Sequence, residues 1–296
     1  MTDTLSLQPD QSAFPALVEV GWLALQRPEG IRVVDLRWSA RPPSAEERFL
    51  EGHIPGAVRI DLDRDLAQPG GPGRHPFPPA ARLAATLGRL GIGSQTHVVA
   101  YDDGPGSVAA RLWYMLRVHG HLRASVLDGG LAAWRAAGHP LSTAIEAPEP
   151  VDPPRLHLDT SRLVDRSELK QLLKQSGPLV LDARARARYR GEVEPIDAKK
   201  GHIPGTLNAP FEENLRSPEN PRLRSPQELR ATYEALGVPS ATQVVVSCGS
   251  GVTACHDALT LELAGFGLPR LYVGSFSDWI AGDEPIATGG APGKLE

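Results

Sequence analysis

The chain repeats itself, and this constrains its fold more than any single motif does. "IRVVDLRW" (31–38) is echoed by "PLVLDARA" (178–185), and "EGHIPGAVRIDL" (51–62) by "KGHIPGTLNAPF" (200–211). "THVVAYDDGPGSVAARL" (96–112) is echoed by "TQVVVSCGSGVTACHDAL" (242–259), and "VLDGGLAAW" (126–134) by "LYVGSFSDW" (271–279). Four blocks in the same order, at nearly constant spacing, mean two homologous units. Two copies are too few for a solenoid. The length, 296 residues, suits two domains of ordinary size. Between the copies, residues 144–158, "AIEAPEPVDPPRLHL", are proline-rich and therefore extended and semi-rigid. The expected organisation is one domain at 1–143, a linker at 144–158 and a second domain at 159–296.

Each copy reads in the same way. A helix ("SRLVDRSELKQLLKQS" in the second copy) precedes a short apolar strand, "PLVLDA". A GHIPG turn and a long loop follow. The next helix, over 225–238, carries Ser225 as N-cap and Glu228 three residues on, the capping-box pattern. A second strand, "QVVVS", and a further helix complete the unit. Strands that are apolar throughout, alternating with helices, predict an α/β fold in which each parallel sheet has helices on both faces. Ligands of such sheets bind at the carboxyl ends of strands. Cys248 stands at one.

Composition removes several classes of function. With 41% apolar and 22% charged residues and a net charge of −4, nothing marks a nucleic-acid or membrane-surface partner. No run approaches the ~18 apolar residues of a membrane span. The N-terminal stretch lacks the basic and apolar regions of a cleaved leader. Cys248 and Cys255 are the only cysteines. They are too few for a disulfide framework and wrongly spaced for zinc, and His119 and His121 stand beside no further metal-ligand motif. No metal or organic cofactor is expected, and the compartment inferred is reducing and cytoplasmic.

Chemistry concentrates in "VVVSCGSGVTACHD" (244–257). The strand delivers Cys248 to the top of the sheet, Gly249, Ser250, Gly251 and Val252 form a loop, and a helix starts near Thr253. Glycines let successive N–H groups converge, and the helix terminus adds its own unpaired N–H groups and dipole. The cradle favours an anion, and here the anion is the sulfur itself, as thiolate or persulfide. Other readings compete. "GSGVTA" fits the dinucleotide fingerprint, but the next strand ends in Gly274 without the acidic residue that motif needs. A P-loop needs Lys-Ser/Thr after its last glycine, and a cysteine phosphatase relies on a loop-end arginine; neither is present. A buried packing cysteine is the plain alternative for Cys248, and is the reading given to Cys255.

With "GHIPG" duplicated, and with "VVVSCGSGVTA", "YDDGPGSVAARLWYML" and "VLDGGLAAW", the chain resembles the tandem-domain rhodanese (sulfurtransferase) family over nearly its whole length. The resemblance implies two rhodanese-type domains, the second catalytic, and a ping-pong transfer. A small anionic donor loads sulfur onto Cys248; cyanide or a thiol, a thioredoxin-like reductant among the candidates, removes it. Asp102 replaces the cysteine in the first copy and cannot carry sulfur. The uncharged loop "CGSGVT" resembles that of 3-mercaptopyruvate enzymes more than the basic loop of thiosulfate enzymes. In the former, a proton relay corresponds to Ser250, His75 and Asp63. The family's substrate arginine aligns with Arg188, with Arg190 as fallback, and Gly249, Gly251, Val252 and Thr253 complete the binding loop. Where those enzymes carry a second arginine, "EPIDAKKG" offers Asp197, with Lys199 or Lys200 as point charges. Trp38, Asp182 and Trp279 also match family positions and are read as structural, Asp182 tying down the active-site side and the two tryptophans as packing residues. The alternative function is a persulfide carrier with little turnover of free donors.

Overall fold

Short buried strands build two equivalent sheets. The computed structural model describes residues 14–25, 30–145, 147–175, 178–238 and 244–295. Residues 1–13, read above for a leader, and Gln243, the head of an expected strand, lie outside them. The first sheet contains β1 (Leu17–Val18), β2 (Ile31–Asp35), β3 (Val58–Arg59), β4 (His97–Tyr101) and β5 (Ala124–Leu127), in the order β1-β5-β4-β2-β3. The second contains β6 (Leu163–Val164), β7 (Leu179–Asp182), β8 (Leu207–Asn208), β9 (Val244–Ser247) and β10 (Arg270–Tyr272), in the order β6-β10-β9-β7-β8. Every pairing is parallel. In register, Asp35 faces Tyr101 in one sheet and Asp182 faces Ser247 in the other.

Helices cover both faces. In the first half they are α1 (Val20–Leu25), α2 (Ala45–Glu51), α3 (Leu62–Asp65), α4 (Ala80–Arg89), α5 (Ser107–Val118) and α6 (Gly130–Ala136). In the second they are α7 (Arg166–Lys174), α8 (Arg186–Tyr189), α9 (Pro226–Ala235), α10 (Ala254–Leu263) and α11 (Ser275–Trp279). Side chains of β9 alternate between two cores. Val244 and Val246 join Leu229 of α9 and Leu259 of α10, while Val245 joins Leu169 of α7 and Trp279 of α11. A strand buried on both faces has no polar side, which is why β4 and β9 read as continuous apolar runs. The capping box at Ser225 and Glu228 is present, and Ser44 with Glu47 repeats it at α2. The helix expected from residue 161 starts only at Arg166, capped by the Asp165 side chain. Leu163 and Val164 before it form β6 instead, pairing with Leu271 and Tyr272.

The halves join through equivalent helices. α5 packs on α10, and Leu112, Met115 and Leu116 share one core with Ala254, Cys255, Ala258 and Leu259. Polar contacts fasten the same seam: the Tyr114 hydroxyl donates to the Pro269 carbonyl at 3.0 Å, and Arg117 pairs with Glu262 at 2.7 Å. In the second sheet the chain leaves β7 toward β8 but leaves β9 toward β10. The loops after β7 and β9 therefore diverge, opening a crevice at the carboxyl ends of the strands. No helix of the described residues is long and apolar enough to cross a membrane.

Candidate active site

The loop after β9 is clamped by the turn after β10. Cys248 is 2% exposed. Its N–H donates to Ser275 Oγ at 3.1 Å, and that hydroxyl donates to the Tyr272 carbonyl at 2.8 Å. In return, the N–H groups of Phe276 and Ser277 donate to the carbonyls of Cys248 and Gly249 at 3.0 and 2.9 Å. Ser275 holds φ 52°, a left-handed conformation costly for a residue with a Cβ, so this brace is built at some strain. Gly251 has φ +74°, and a Cβ there would lie 2.5 Å from the Val273 carbonyl oxygen. Only glycine fits, and its N–H donates to Cys248 Sγ at 3.1 Å. Val252 is buried, Thr253 caps α10 without a side-chain bond, and the helix proper starts at Ala254.

The first copy shows what such a loop does with an anion. Asp102 follows β4 as Cys248 follows β9. Its carboxylate accepts from the N–H groups of Gly104, Gly106, Val108 and Ala109 at 2.9–3.3 Å. Burial raises the Asp102 carboxyl's pKa, but all four contacts are donors, the arrangement an oxyanion requires.

The first half supplies the far wall. Gly73 lies so close to α11 that a Cβ would sit 2.4 Å from the Gly274 carbonyl oxygen, and the Arg74 N–H donates to Ser277 Oγ at 3.1 Å. His75 follows. Its Nδ1 lies 2.8 Å from Ser250 Oγ and its Nε2 lies 2.9 Å from Asp63 Oδ1. Ser250, His75 and Asp63 thus form one hydrogen-bonded chain beside Cys248. Burial lowers the His75 pKa; Asp63 opposes this, and Arg111 and Arg74 add to it. A neutral ring places its proton on Nε2 toward Asp63 and leaves Nδ1 to accept from Ser250. Trp38 is not the packing residue expected: it is 40% exposed, and its indole N–H donates to Asp63 Oδ2 at 3.0 Å, fixing that carboxylate. Buried Arg111 ties the two walls together, donating to the Gly251 carbonyl at 2.8 Å and the His75 carbonyl at 2.5 Å.

Of the arginines after β7, one reaches the cysteine loop. Arg184 is buried against Asp182, the structural role expected of that aspartate, and Arg186 pairs with Glu213. Arg190 faces Glu192 and Gly290 and is not brought to the loop. Lys199 reaches toward the Gly282 carbonyl. Arg188 Nη2 lies 3.4 Å from where a Cβ of residue 249 would stand, and Arg74 Nη2 lies 3.1 Å from the same point. The second cation is therefore Arg74, from the other half of the chain, and sequence reasoning passed over it. Its one signal was adjacency to His75. Cys255 lies behind the site, its thiol donating to the Gly251 carbonyl at 3.2 Å, with burial pushing its pKa up to about 12.

Fold and site together define a duplicated α/β protein whose second half holds a buried cysteine in a glycine-containing loop at the carboxyl end of a strand, with arginines from both halves beside it. The rhodanese-like domain family matches residues 21–137 and 165–282. A probable 3-mercaptopyruvate sulfurtransferase of Pseudomonas aeruginosa is 47% identical over 265 residues, 87% of this chain and 92% of that one. A thiosulfate sulfurtransferase of Bos taurus is 37% identical, covering 91% of this chain and 93% of that one. Among solved structures, SseA from Escherichia coli, described as a 3-mercaptopyruvate sulfotransferase, is 31% identical with a TM-score of 0.79, over 89% of this chain and 99% of that one. The chain belongs to the rhodanese family, with two rhodanese-like domains in tandem.

Proposed function

We propose that this sulfurtransferase takes sulfur from 3-mercaptopyruvate onto Cys248 and hands it to a thiophilic acceptor, a thiol or cyanide. A thioredoxin-like reductant fits as a physiological thiol, and two free cysteines suit a reducing, cytoplasmic setting. The observation that carries the donor assignment is the chain Ser250–His75–Asp63 beside a cysteine loop with no charged side chain. Thiosulfate leaves sulfite, which needs no proton to depart. Mercaptopyruvate leaves an enolate, which does.

The step balances with the protein's own groups. The Cys248 thiolate attacks the donor sulfur, an S–S bond forms, the donor C–S bond breaks, and its electron pair passes into the enolate. The donor's thiol proton moves through Ser250 to neutral His75 and returns to the enolate carbon. Pyruvate departs and Cys248 retains a persulfide anion. The four N–H groups around Asp102 illustrate how the equivalent loop would hold the outer sulfur. An acceptor thiolate or cyanide then attacks that sulfur and releases the Cys248 thiolate. Arg188 and Arg74 receive the donor carboxylate, for which a guanidinium fork is well shaped.

A second reading has its own support: two guanidiniums above the loop suit the dianion thiosulfate. The test is thiocyanate formation from each donor with cyanide, in wild type and Cys248→Ser. The expected result is faster turnover with 3-mercaptopyruvate and none in the variant. Faster turnover with thiosulfate would reassign the donor, and activity in Cys248→Ser would remove the persulfide mechanism.

A further inference from the structure

Asp197 is 2% exposed at its side chain, and its two oxygens are shared between two domains. Oδ1 meets Arg74 Nη1, and Oδ2 accepts from Arg188 Nη2 at 3.0 Å. These are the two guanidiniums that close over Gly249. We propose that Asp197 is a built-in competitor: it occupies the carboxylate subsite formed by Arg74 and Arg188, and an anionic donor binds by displacing it. The inference rests on the donor reading above and concerns what sets affinity for that donor.

Charge counting supports it. Around the clamp stand three cations, Arg74, Arg188 and Arg184, and three carboxylates, Asp182, Glu194 and Asp197. The set is balanced without a donor. A further carboxylate entering beside these would find no unpaired cation among them, whereas exchange for Asp197 restores the balance. Glu194 is the wrong group to move. It accepts from Arg188 Nε and Nη2 and from the N–H groups of Ile196 and Asp197, and it lies 3.6 Å from Arg184 Nη1. Burial works to raise its pKa, but these donors hold it below the usual carboxylate range. Asp197 is the looser of the two. Among the described residues its carboxylate pairs with the two arginines and with no backbone N–H, and burial pushes its pKa up against their pull. Its chain segment is at the surface, with neighbouring Ile196 58% exposed. Arg74 gives the clamp a further property: because it comes from the first domain, the subsite exists only when the two domains are docked.

The test compares wild type, Asp197→Asn and Arg74→Ala in two measurements. One is KM for 3-mercaptopyruvate in the thiocyanate assay. The other is the pyruvate concentration that protects Cys248 from iodoacetamide, which needs no turnover. Removing the competing charge should lower both values about three- to tenfold in Asp197→Asn, the effect of one charge-assisted contact, with KM moving more than kcat. Arg74→Ala should raise both by about tenfold or more. Unchanged or higher values in Asp197→Asn, at a melting temperature like that of wild type, overturn the proposal. So does undiminished pyruvate protection in Arg74→Ala, which decides the matter if Asp197→Asn does not fold. Failure of wild type to turn over 3-mercaptopyruvate would instead sink the donor assignment and leave the protection measurement to judge the clamp.

Discussion

At the scale of single residues, the proposed relay makes His75 the side chain on which the choice of donor should depend. His75→Ala should lower kcat with 3-mercaptopyruvate by about a hundredfold or more, the range of general acid–base catalysis, while turnover of thiosulfate changes little. Equal losses with both donors would mean a structural role only. The same ring sets a pH dependence. The proposed relay needs His75 neutral, so activity should be present above its pKa and lost as pH falls through it. Burial lowers that pKa, so the acid limb of kcat/KM should lie below 6.5, the ordinary histidine value. A limb above 6.5 would contradict the lowering of the His75 pKa by burial. Cys248 and Ser250 could be placed from the loop motif itself, whereas His75, Asp63 and Arg188 entered through the family resemblance; the fold brings Ser250, His75 and Asp63 into one hydrogen-bonded chain and Arg188 to Gly249. Arg74 was not legible, because a lone arginine in a loop has no period and its partner Asp197 is remote in sequence. Trp38 was misjudged because its role depends on Asp63, which only the fold brings near.

At the scale of elements, the position of the cysteine loop was readable from "VVVSCGSGVTA", since an apolar run that stops at glycines before a helix places a loop at the carboxyl end of a strand. The brace from Ser275 was not, because nothing in "GSFSDW" announces a left-handed serine. The central strands were legible as apolar runs. The two-residue strands β1, β3, β6 and β8 were not, because two residues cannot display a period, and the start of the helix expected from 161 was displaced for that reason. Gly251→Ala tests the element directly. A methyl group 2.5 Å from the Val273 carbonyl, at φ +74°, should cost about 1–3 kcal/mol of stability and pull the residue 251 N–H off the sulfur. Both the melting temperature and kcat should fall. A variant as stable and active as wild type would show that the cradle is not held as described.

At the scale of the whole molecule, the repeat announced two domains, and the family resemblance that His75 and Asp63 of the first would reach the site of the second, but not that α5 and α10 would face each other or that Arg111 and Arg74 would reach the loops of the second domain. Arg111 embodies this dependence, holding the Gly251 carbonyl on one side and the His75 carbonyl on the other, with its guanidinium 4.3 Å from the centre of the Phe77 ring. In Arg111→Met, two effects on stability oppose: a buried cation with no carboxylate partner among the described residues is removed, and the carbonyls of Gly251, His75 and Leu66 lose donors worth about 1–3 kcal/mol each. Stability should therefore change less than activity, which should fall about ten- to a hundredfold as the relay and cradle lose their shared anchor. Full activity in that variant would detach the domain seam from catalysis. The central claim, that Cys248 carries the transferred sulfur, is tested most directly by intact mass. Wild type incubated with 3-mercaptopyruvate should gain the mass of one sulfur atom and lose it again on adding cyanide, while Cys248→Ser gains nothing. Thiocyanate formation with no sulfur adduct on wild type, or an adduct that persists in Cys248→Ser, would contradict the account.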